Sequence, residues 1–240
     1  MVPPVIPGPT DWIELRVQDG TSMRAFAATP AGDGAVPGVI VLHEIFGVDP
    51  HIQDLCRRFA EAGLLAVAPE LFHRTAPGFI GSYQDYGPGR AHAASITPAL
   101  LAMDVQALLA WFGSQPRSAG SKVGSVGYCM GGRMSFLAAT SAPLGCGISF
   151  YGRDIPNHFD RLDRLECPFL TVWGGADTIV PADQPGQVFE ALRLAGRSHL
   201  GLTFHGADHG FFCDRRASYH PGAALIAWPA TLAFLQDHLT

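Results

Sequence analysis

Short apolar runs without polar interruptions recur along the chain, and they constrain its fold more than any other feature of the sequence. The run VIVL within PGVIVLHE at 37–44 is expected of a strand that is buried on both faces of a sheet. Between such runs the apolar residues follow helical spacing, as at 50–62, where Gly63 supplies the stop. These patterns predict strands at 37–44, 64–70, 121–128, 146–152, 168–175 and 199–205, and helices at 50–62, 97–114, 130–141, 185–195 and 221–238. Their alternation predicts an α/β fold with a mostly parallel central sheet and helices on both faces.

Three further features complete the predicted architecture. WIELRV at 12–17 and SMRAFAATP at 22–30 flank the turn-like QDGT, which predicts an N-terminal antiparallel hairpin. Residues 72–88 carry Gly, Pro, Tyr and His without periodicity and predict a long loop, of a kind that is often functional. Pro229 predicts a kink or break in the last helix. Because no linker, repeat or low-complexity block interrupts the chain, we expect a single domain over 1–240.

The composition narrows the possible partners and location. The 240 residues are 48% hydrophobic and carry a formal net charge of −5 with no basic block, so nucleic acid is not an expected partner. No apolar run reaches the roughly 18 residues that span a bilayer, so we expect no membrane association. The N-terminal MVPPVIPGPT lacks the charged and apolar regions of a signal peptide, which favours the cytoplasm.

The five cysteines do not form a recognisable framework. They are odd in number, scattered and never in a CxxC pair, which argues against both a disulfide scaffold and a structural zinc site. Cys56, Cys146 and Cys167 are interpreted as small buried side chains. Cys213 is less certain because it lies close to His209 in the sequence.

The stretch GYCMGG at 127–132 places the remaining cysteine, Cys129, where a predicted strand meets a predicted helix. A sharp strand-to-helix turn exposes its central side chain above the sheet edge, and Gly127 and Gly131 leave room for the strained backbone. The helix N-terminus directs free N–H groups and partial positive charge at the sulfur, which favours a thiolate nucleophile. The alternative is a buried cysteine in a tight turn.

Two later loops supply partners for such a nucleophile. Asp177 follows strand 168–175 and His209 follows strand 199–205, and both positions face the carboxyl edge of the sheet. The chain order of nucleophile, acid and base is that of α/β-hydrolase sites. Asp208 is a rival acid, although its neighbouring position suits it poorly to orient the His209 ring.

A metal site is the other interpretation of these loops. Its ligands would be His205, Asp208 and His209, but one of the histidines ends a strand and the other lies in a loop. No further strong ligand motif is present. We therefore predict neither a metal nor a cofactor.

The motifs GYCMGG, WGGADTIVP, ADHGFF and HEIFG together resemble the dienelactone hydrolase family over roughly residues 11–239. This resemblance implies an α/β-hydrolase fold and catalytic Cys129, Asp177 and His209. It also implies a role for Glu44, which in the family contacts the resting thiol, accepts its proton and moves away when substrate arrives. The other interpretation of Glu44 is a strand end in solvent. By the same resemblance, the backbone N–H groups of Ile45 and Met130 form the oxyanion hole.

The substrate pocket is less well defined by the sequence. We expect it beneath loop 72–88, and the family's carboxylate-binding arginines have no clearly aligned counterpart here. The candidate arginines are Arg74, Arg90, Arg215 and Arg216. The candidate substrate-binding residues are Phe46, Phe72, Tyr83, Tyr86, Trp173, Phe212 and Arg215.

The predicted activity is hydrolysis of enol lactones or activated carboxylic esters through a Cys-His-Asp triad and an acyl-enzyme. We expect a small-molecule ester or lactone substrate and a monomer or weak homodimer. The alternatives are a redox-responsive or binding module that uses the Cys129 thiol without turnover, and a structural domain with a degenerate site.

Overall fold

A computed structural model describes residues 8–118 and 120–240, and all of its strands join one eight-stranded sheet in the order β1-β2-β4-β3-β5-β6-β7-β8. The strands are β1 Thr10–Arg16, β2 Ser22–Ala28, β3 Gly38–Leu42, β4 Leu65–Pro69, β5 Val123–Tyr128, β6 Gly147–Phe150, β7 Phe169–Gly174 and β8 His199–Phe204. β1 pairs with β2 and β2 with β4 in antiparallel fashion, whereas every pair from β4 to β8 is parallel. The predicted hairpin and the mostly parallel sheet are thereby confirmed.

Helices lie on both faces of this sheet. They are α1 Pro50–Glu61, α2 Gly87–Ala94, α3 Pro98–Ser114, α4 Met130–Ala139, α5 Gln184–Leu194 and α6 Pro221–Leu239, with a 3-10 segment at Ile155–Arg164. Along β3, Ile40 and Leu42 join one apolar cluster with α3, α4 and α5, while Val39 and Val41 join a second cluster with α1 and α6. This alternation explains why the parallel strands are apolar at every position.

The structure differs from the sequence predictions at three places. Helix α2 begins inside the predicted loop 72–88 and extends to Ala94, although its glycines and proline give it no helical apolar pattern. The 3-10 segment Ile155–Arg164 was also not predicted. Helix α6 continues through Pro229, so of the predicted kink or break the break does not occur and the kink stays a prediction.

Two predictions concern the whole chain. Residues 1–7, which include most of the N-terminal stretch interpreted above, lie outside the described residues, so the single domain over 1–240 stays a prediction. Within 8–118 and 120–240, no single helix is long and apolar enough to cross a bilayer, and α2 and α3 meet that criterion only as a pair bent by 89°.

A buried ion pair fastens the start of the 72–88 segment to α3. The guanidinium of Arg74 donates to both carboxylate oxygens of Asp104, at 3.0 and 2.7 Å, and to Asp19 at 2.6 Å. Asp104 is fully buried, and His73 Nε2 lies 3.7 Å from it. Burial raises the pKa of Asp104, and Arg74 opposes that rise. Arg74 therefore has a structural role, so it is not free to bind a substrate carboxylate.

This arrangement predicts an asymmetric effect of removing either partner. Arg74→Ala leaves a fully buried carboxylate without its cation and should lower the free energy of unfolding by about 3 kcal/mol. Asp104→Ala should lower the free energy of unfolding by less, because the partly exposed guanidinium of Arg74 can turn towards water. Urea unfolding measures both values. Arg193→Ala is the control, because its pair with Glu190 is exposed and should not change stability measurably. Equal effects of Arg74→Ala and Arg193→Ala would contradict this role.

Candidate active site

Cys129 lies at the turn between β5 and α4 in a backbone conformation that few non-glycine residues adopt, with φ of 55° and ψ of −115°. Its amide donates to the Phe150 carbonyl at 3.0 Å, which fixes the turn to the neighbouring strand β6. The turn directs the half-buried sulfur into a cavity at the carboxyl edge of the sheet, at the N-terminus of α4.

Two glycines make this turn possible. A Cβ at Gly127 would overlap the carbonyl of Gly131, and a Cβ at Gly131 would overlap the carbonyls of Leu42 and His43 at the end of β3. The first turn of α4 therefore lies in backbone contact with both β5 and β3. No side chain fits at either position without moving the backbone.

His209 and Asp177 are joined by a direct hydrogen bond. His209 Nδ1 lies 2.9 Å from Asp177 Oδ2, and both side chains are buried. The other carboxylate oxygen of Asp177 accepts the amides of Ile179 and Val180, each at 2.8 Å, which fixes its orientation. Burial alone would raise the pKa of Asp177, but the bond and charge of His209 lower it below its usual value. The structure thus pairs His209 with the carboxylate that the sequence favoured.

The rival acid Asp208 has a different environment. Its Oδ1 accepts the amide of Thr178 at 3.2 Å and the amide of His209 at 2.6 Å. It therefore holds the loop backbones rather than the imidazole ring.

The far nitrogen of the His209 ring faces the cysteine. Nε2 is buried without a hydrogen-bond partner among the described residues, and both His209 and Cys129 line the same cavity. Burial alone would lower the pKa of His209, but Cys129 and Asp177 outweigh burial and raise it to about 10. The imidazole is therefore disposed to stay protonated at neutral pH.

The segment after β3 supplies backbone donors to the same cavity. Neither the Ile45 amide nor the Met130 amide has an acceptor among the described residues, and both residues line the cavity with Cys129. Met130 is the first residue of α4, so its N–H has no partner within the helix. An oxyanion formed on a group bound to Cys129 could accept hydrogen bonds from the amides of Ile45 and Met130.

His43 holds the segment after β3 in place through both nitrogens of its ring. Its Nδ1 lies 2.5 Å from the Glu44 carbonyl, and its Nε2 accepts the Leu71 amide at 3.1 Å. Burial lowers the pKa of His43 to about 4, so the ring is neutral and donates from Nδ1. The 72–88 segment also contacts the segment after β3, because the Gly81 amide donates to the Phe46 carbonyl at 2.9 Å. No sequence pattern indicated a role for His43.

Glu44 has a different partner from the one that the family resemblance implies. Its carboxylate accepts Arg216 Nη1 at 3.0 Å, and no hydrogen bond joins it to Cys129 among the described residues. Arg216 Nη2 also donates to the Tyr86 hydroxyl at 3.2 Å. Glu44 is buried rather than a strand end in solvent, and its carboxylate forms an ion pair with Arg216.

The cavity next to the sulfur has a volume of about 310 Å³. Its lining includes Ile45, Tyr86, Arg90, Cys129, Met130, Arg133, Arg153, Asp154, Ile179 and His209. A second cavity of about 530 Å³ shares Tyr86, Ile179 and His209 with the first and is also lined by Tyr83 and Arg215. A wider groove of about 930 Å³ lies at the opposite end of the strands and contains none of the predicted catalytic residues.

The other predicted wall residues are placed elsewhere. Phe46, Phe72 and Trp173 are buried in the core and line neither cavity. Phe212 packs against Tyr128 and lines a separate groove along α6. These four aromatic side chains therefore support the site from within the core rather than contacting a substrate.

The alternative metal cluster does not assemble. Within the described ranges, the donor atoms that come within 4.8 Å of one another belong to His51, Cys213 and Asp214, not to His205, Asp208 and His209. Burial raises the pKa of the Cys213 thiol to about 12, which keeps it protonated and a poor ligand. The expected absence of a metal and of a cofactor stays a prediction.

The chain is similar to known proteins over nearly its whole length. The model of the dienelactone hydrolase family matches residues 23–239. A Synechocystis protein named "Putative carboxymethylenebutenolidase" is 34% identical over 227 residues, which cover 90% of this chain and 92% of that protein. The crystal structure of a "Putative Dienelactone Hydrolase" from Klebsiella pneumoniae has a TM-score of 0.85 and 32% identity, and covers 94% of this chain and 97% of its own. The dienelactone hydrolase-like promiscuous phosphotriesterase P91, from metagenomic libraries, shares the fold at 23% identity, with a TM-score of 0.83 over 97% of this chain and all of its own.

The raised pKa of His209 predicts the pH dependence of any reaction that uses its proton. The imidazolium is present below about pH 10 and is lost above it, so kcat/KM for an aryl ester should fall only as the pH approaches 10. Asp177→Asn removes one of the charges that raise this pKa, so the fall should move to lower pH, with a loss of roughly 10²–10⁴-fold in rate.

Initial rates between pH 6 and 11, corrected for spontaneous hydrolysis, measure both effects. Asp208→Asn is the matched control, because an amide oxygen can still accept the two backbone amides and the rate should stay within a few-fold. A larger loss for Asp208→Asn than for Asp177→Asn would show that the wrong carboxylate has been assigned.

Proposed function

The chain belongs to the dienelactone hydrolase family, and we propose that it hydrolyses enol lactones or activated carboxylic esters through an acyl-enzyme on Cys129. One observation carries the proposal. The Cys129 sulfur, the His209 imidazole held by Asp177, and the free amides of Ile45 and Met130 surround one cavity. A nucleophile, a proton carrier and an oxyanion site are the groups that acyl transfer requires.

In the first step the Cys129 thiolate attacks the substrate carbonyl carbon. The carbonyl oxygen becomes an oxyanion and accepts the amides of Ile45 and Met130. Removing one such donor typically raises the barrier by about 2.7–4 kcal/mol. The tetrahedral intermediate then expels the alcohol or enol oxygen, which receives the proton of the His209 imidazolium.

In the second step the now neutral His209 removes a proton from water, and the hydroxide attacks the thioester carbon. The second intermediate collapses to the acid and expels the sulfur as a thiolate. The protonated His209 and the thiolate restore the resting pair. Asp177 keeps the imidazole oriented throughout, because its hydrogen bond to Nδ1 leaves Nε2 facing the sulfur.

A cysteine nucleophile restricts the substrate. The tetrahedral intermediate can expel either the sulfur or the substrate oxygen, and the better leaving group departs. A thiol has a pKa of about 8.5, whereas an alkanol resembles water at about 15.7. A simple alkyl ester therefore returns mostly to free enzyme, whereas an enol lactone or aryl ester can proceed.

The charges in the cavity favour an acidic substrate. Three arginines line it, namely Arg90, Arg133 and Arg153, and one acidic side chain, that of Asp154. The Asp154 carboxylate lies 3.6 Å from Arg133 Nη1 and 3.3 Å from Arg153 Nε. The Nε of Arg133 is buried and has no hydrogen-bond partner in the described part of the chain. We therefore propose that the substrate carries a carboxylate besides the reacting ester, as the name of the carboxymethylenebutenolidase relatives also suggests.

The competing hypothesis is a thiol module without turnover. Such a module has no use for an imidazole fixed by a buried carboxylate, as His209 is by Asp177. The expected small-molecule partner, the absence of nucleic-acid and membrane partners, the monomer or weak homodimer and the cytoplasmic location all stay predictions.

The leaving-group argument predicts that p-nitrophenyl esters are hydrolysed at least about 100-fold faster than the matching ethyl esters. Cys129→Ala should abolish the p-nitrophenyl activity, and Cys167→Ala, which truncates a buried cysteine in the core, should retain it. Release of p-nitrophenol and a coupled assay for ethanol measure the two rates. Equal rates for the two ester classes would contradict the partition between leaving groups. Alkylation of Cys129 by iodoacetamide, with no hydrolysis beforehand, would favour the thiol module.

The arginines predict selectivity for charge. Arg133→Ala should raise KM for an aryl ester that carries a carboxylate by about 10–100-fold, because a charge-assisted hydrogen bond is lost. KM for the neutral methyl-capped ester should change less than threefold. Arg164→Ala, a change in the distant groove, is the control for net charge. If Arg133→Ala raises KM equally for both esters, this arginine does not bind the substrate anion.

A further inference from the structure

Tyr151 combines a strained backbone with complete burial. It follows strand β6 with φ of 40°, and its exposed fraction is 0%. A positive φ is a genuine outlier for a bulky side chain and costs on the order of 1–3 kcal/mol. Among the described residues, the other non-glycine positions with positive φ are Cys129 and Asp154, which both line the cavity.

The chain around Tyr151 shows how this strain is held. The Tyr151 amide donates to the Val172 carbonyl at 2.7 Å, so the residue is still fastened to β7. At the next position a Cβ on Gly152 would lie 2.8 Å from the carbonyl carbon of Gly132, so the chain must bend sharply to pass α4. The positive φ falls on Tyr151, although the adjacent Gly152 could adopt such a value without a steric cost.

The side chain at this bend lies against the catalytic ring. The ring centroids of Tyr151 and His209 are 5.0 Å apart with an interplanar angle of 60°. Phe211 and Phe150 pack on Tyr151 at 5.5 and 6.1 Å and confine its ring. Asp177 holds one nitrogen of the imidazole, and the other has no hydrogen-bond partner among the described residues, so the adjacent Tyr151 ring is what limits rotation of the imidazole about the Asp177 contact.

The phenol ring, rather than its hydroxyl, makes this contact. The Tyr151 hydroxyl is buried with no hydrogen-bond partner in the described part of the chain. Burial raises its pKa well above 10, so the phenol is neutral. The ring acts through the position of the imidazole: Cys129 is the largest of the groups that raise the pKa of His209, so an imidazole turned away from the sulfur would have a lower pKa.

We propose that Tyr151 is a positioning residue whose strained backbone holds its aromatic ring against His209 and so keeps the imidazole turned towards Cys129. This inference rests on the proposed function, because it assigns His209 the role of proton carrier. A residue that only fills the core would affect stability and leave the chemistry of each folded molecule unchanged. The two roles can therefore be separated by experiment.

The test compares Tyr151→Phe and Tyr151→Leu with Phe136→Leu, which removes an equally buried aromatic ring that packs on Phe169, away from the site. Tyr151→Leu should lower kcat for p-nitrophenyl acetate by about 10–100-fold with KM within threefold. It should also move the alkaline fall in rate to lower pH. Tyr151→Phe keeps the ring and should stay within threefold in kcat, with the same pH profile. Phe136→Leu should lose stability but keep both kcat and the pH profile per folded molecule.

Alkylation of Cys129 by iodoacetamide keeps the test independent of turnover. Its rate as a function of pH reports the thiolate beside the imidazolium, and Tyr151→Leu should shift this profile as well. Should Tyr151→Leu fail to fold, Tyr151→Met fills more of the space with a flexible chain and carries the same expectations. A wild type that is alkylated at Cys129 but hydrolyses no ester would overturn the proposed function and leave the alkylation profile as the test of Tyr151.

Three results would overturn the inference. In the first, folded Tyr151→Leu or Tyr151→Met keeps the kcat and pH profile of the wild type, and the ring only fills space. In the second, Tyr151→Phe loses as much as Tyr151→Leu, and the hydroxyl has the role instead. In the third, Phe136→Leu changes kcat and the pH profile as much as Tyr151→Leu, and the effect is one of core stability.

Discussion

The site depends on a backbone contact that only glycine allows. The carbonyls at the end of β3 lie directly against the first turn of α4 at Gly131, and the turn itself folds back on Gly127. This contact brings the amide of Ile45 and the amide of Met130 to the same cavity, with the strained Cys129 between them. Because these groups belong to backbone segments in direct contact, their relative positions do not depend on flexible side chains. Fixed dipoles of this kind need little reorganisation when charge develops on a bound carbonyl.

Buried charges around this framework are each matched by a partner. Asp177 is paired with His209, and Glu44 is paired with Arg216. Glu44, held by Arg216, does not line the cavity of Cys129 and His209, and the carboxylate that does line it, on Asp154, is paired with Arg133 and Arg153. Truncating one member of a buried pair leaves the other charge without compensation, which is costly in a low-dielectric interior. Arg133 and Arg153 differ, because they share a single carboxylate on Asp154 and so leave excess positive charge in the cavity.

The sequence predicted what depends on local pattern and on chain order. The strands were recognisable because a doubly covered parallel sheet demands continuous apolar runs, and Asp177 and His209 were recognisable because each follows such a run. Helix α2 was missed because Gly87 and Gly89 carry no apolar period, and the packing of Gly89 against Ile45 is a tertiary contact. Arg133 was missed because the sequence does not show which face of α4 meets the cavity. The strain at Tyr151 has no sequence signature, since tyrosine is an ordinary strand residue.

Trapping the acyl-enzyme tests the central claim, that the Cys129 sulfur carries the acyl group, most directly. Rapid acid quench of the protein with excess p-nitrophenyl acetate, followed by digestion and mass spectrometry, locates the acyl group. We predict one acetyl group per chain, on the peptide that contains Cys129, which disappears as the substrate is exhausted. Steady hydrolysis with the acetyl group on another residue, or with Cys129 unmodified at every quench time, would contradict the claim.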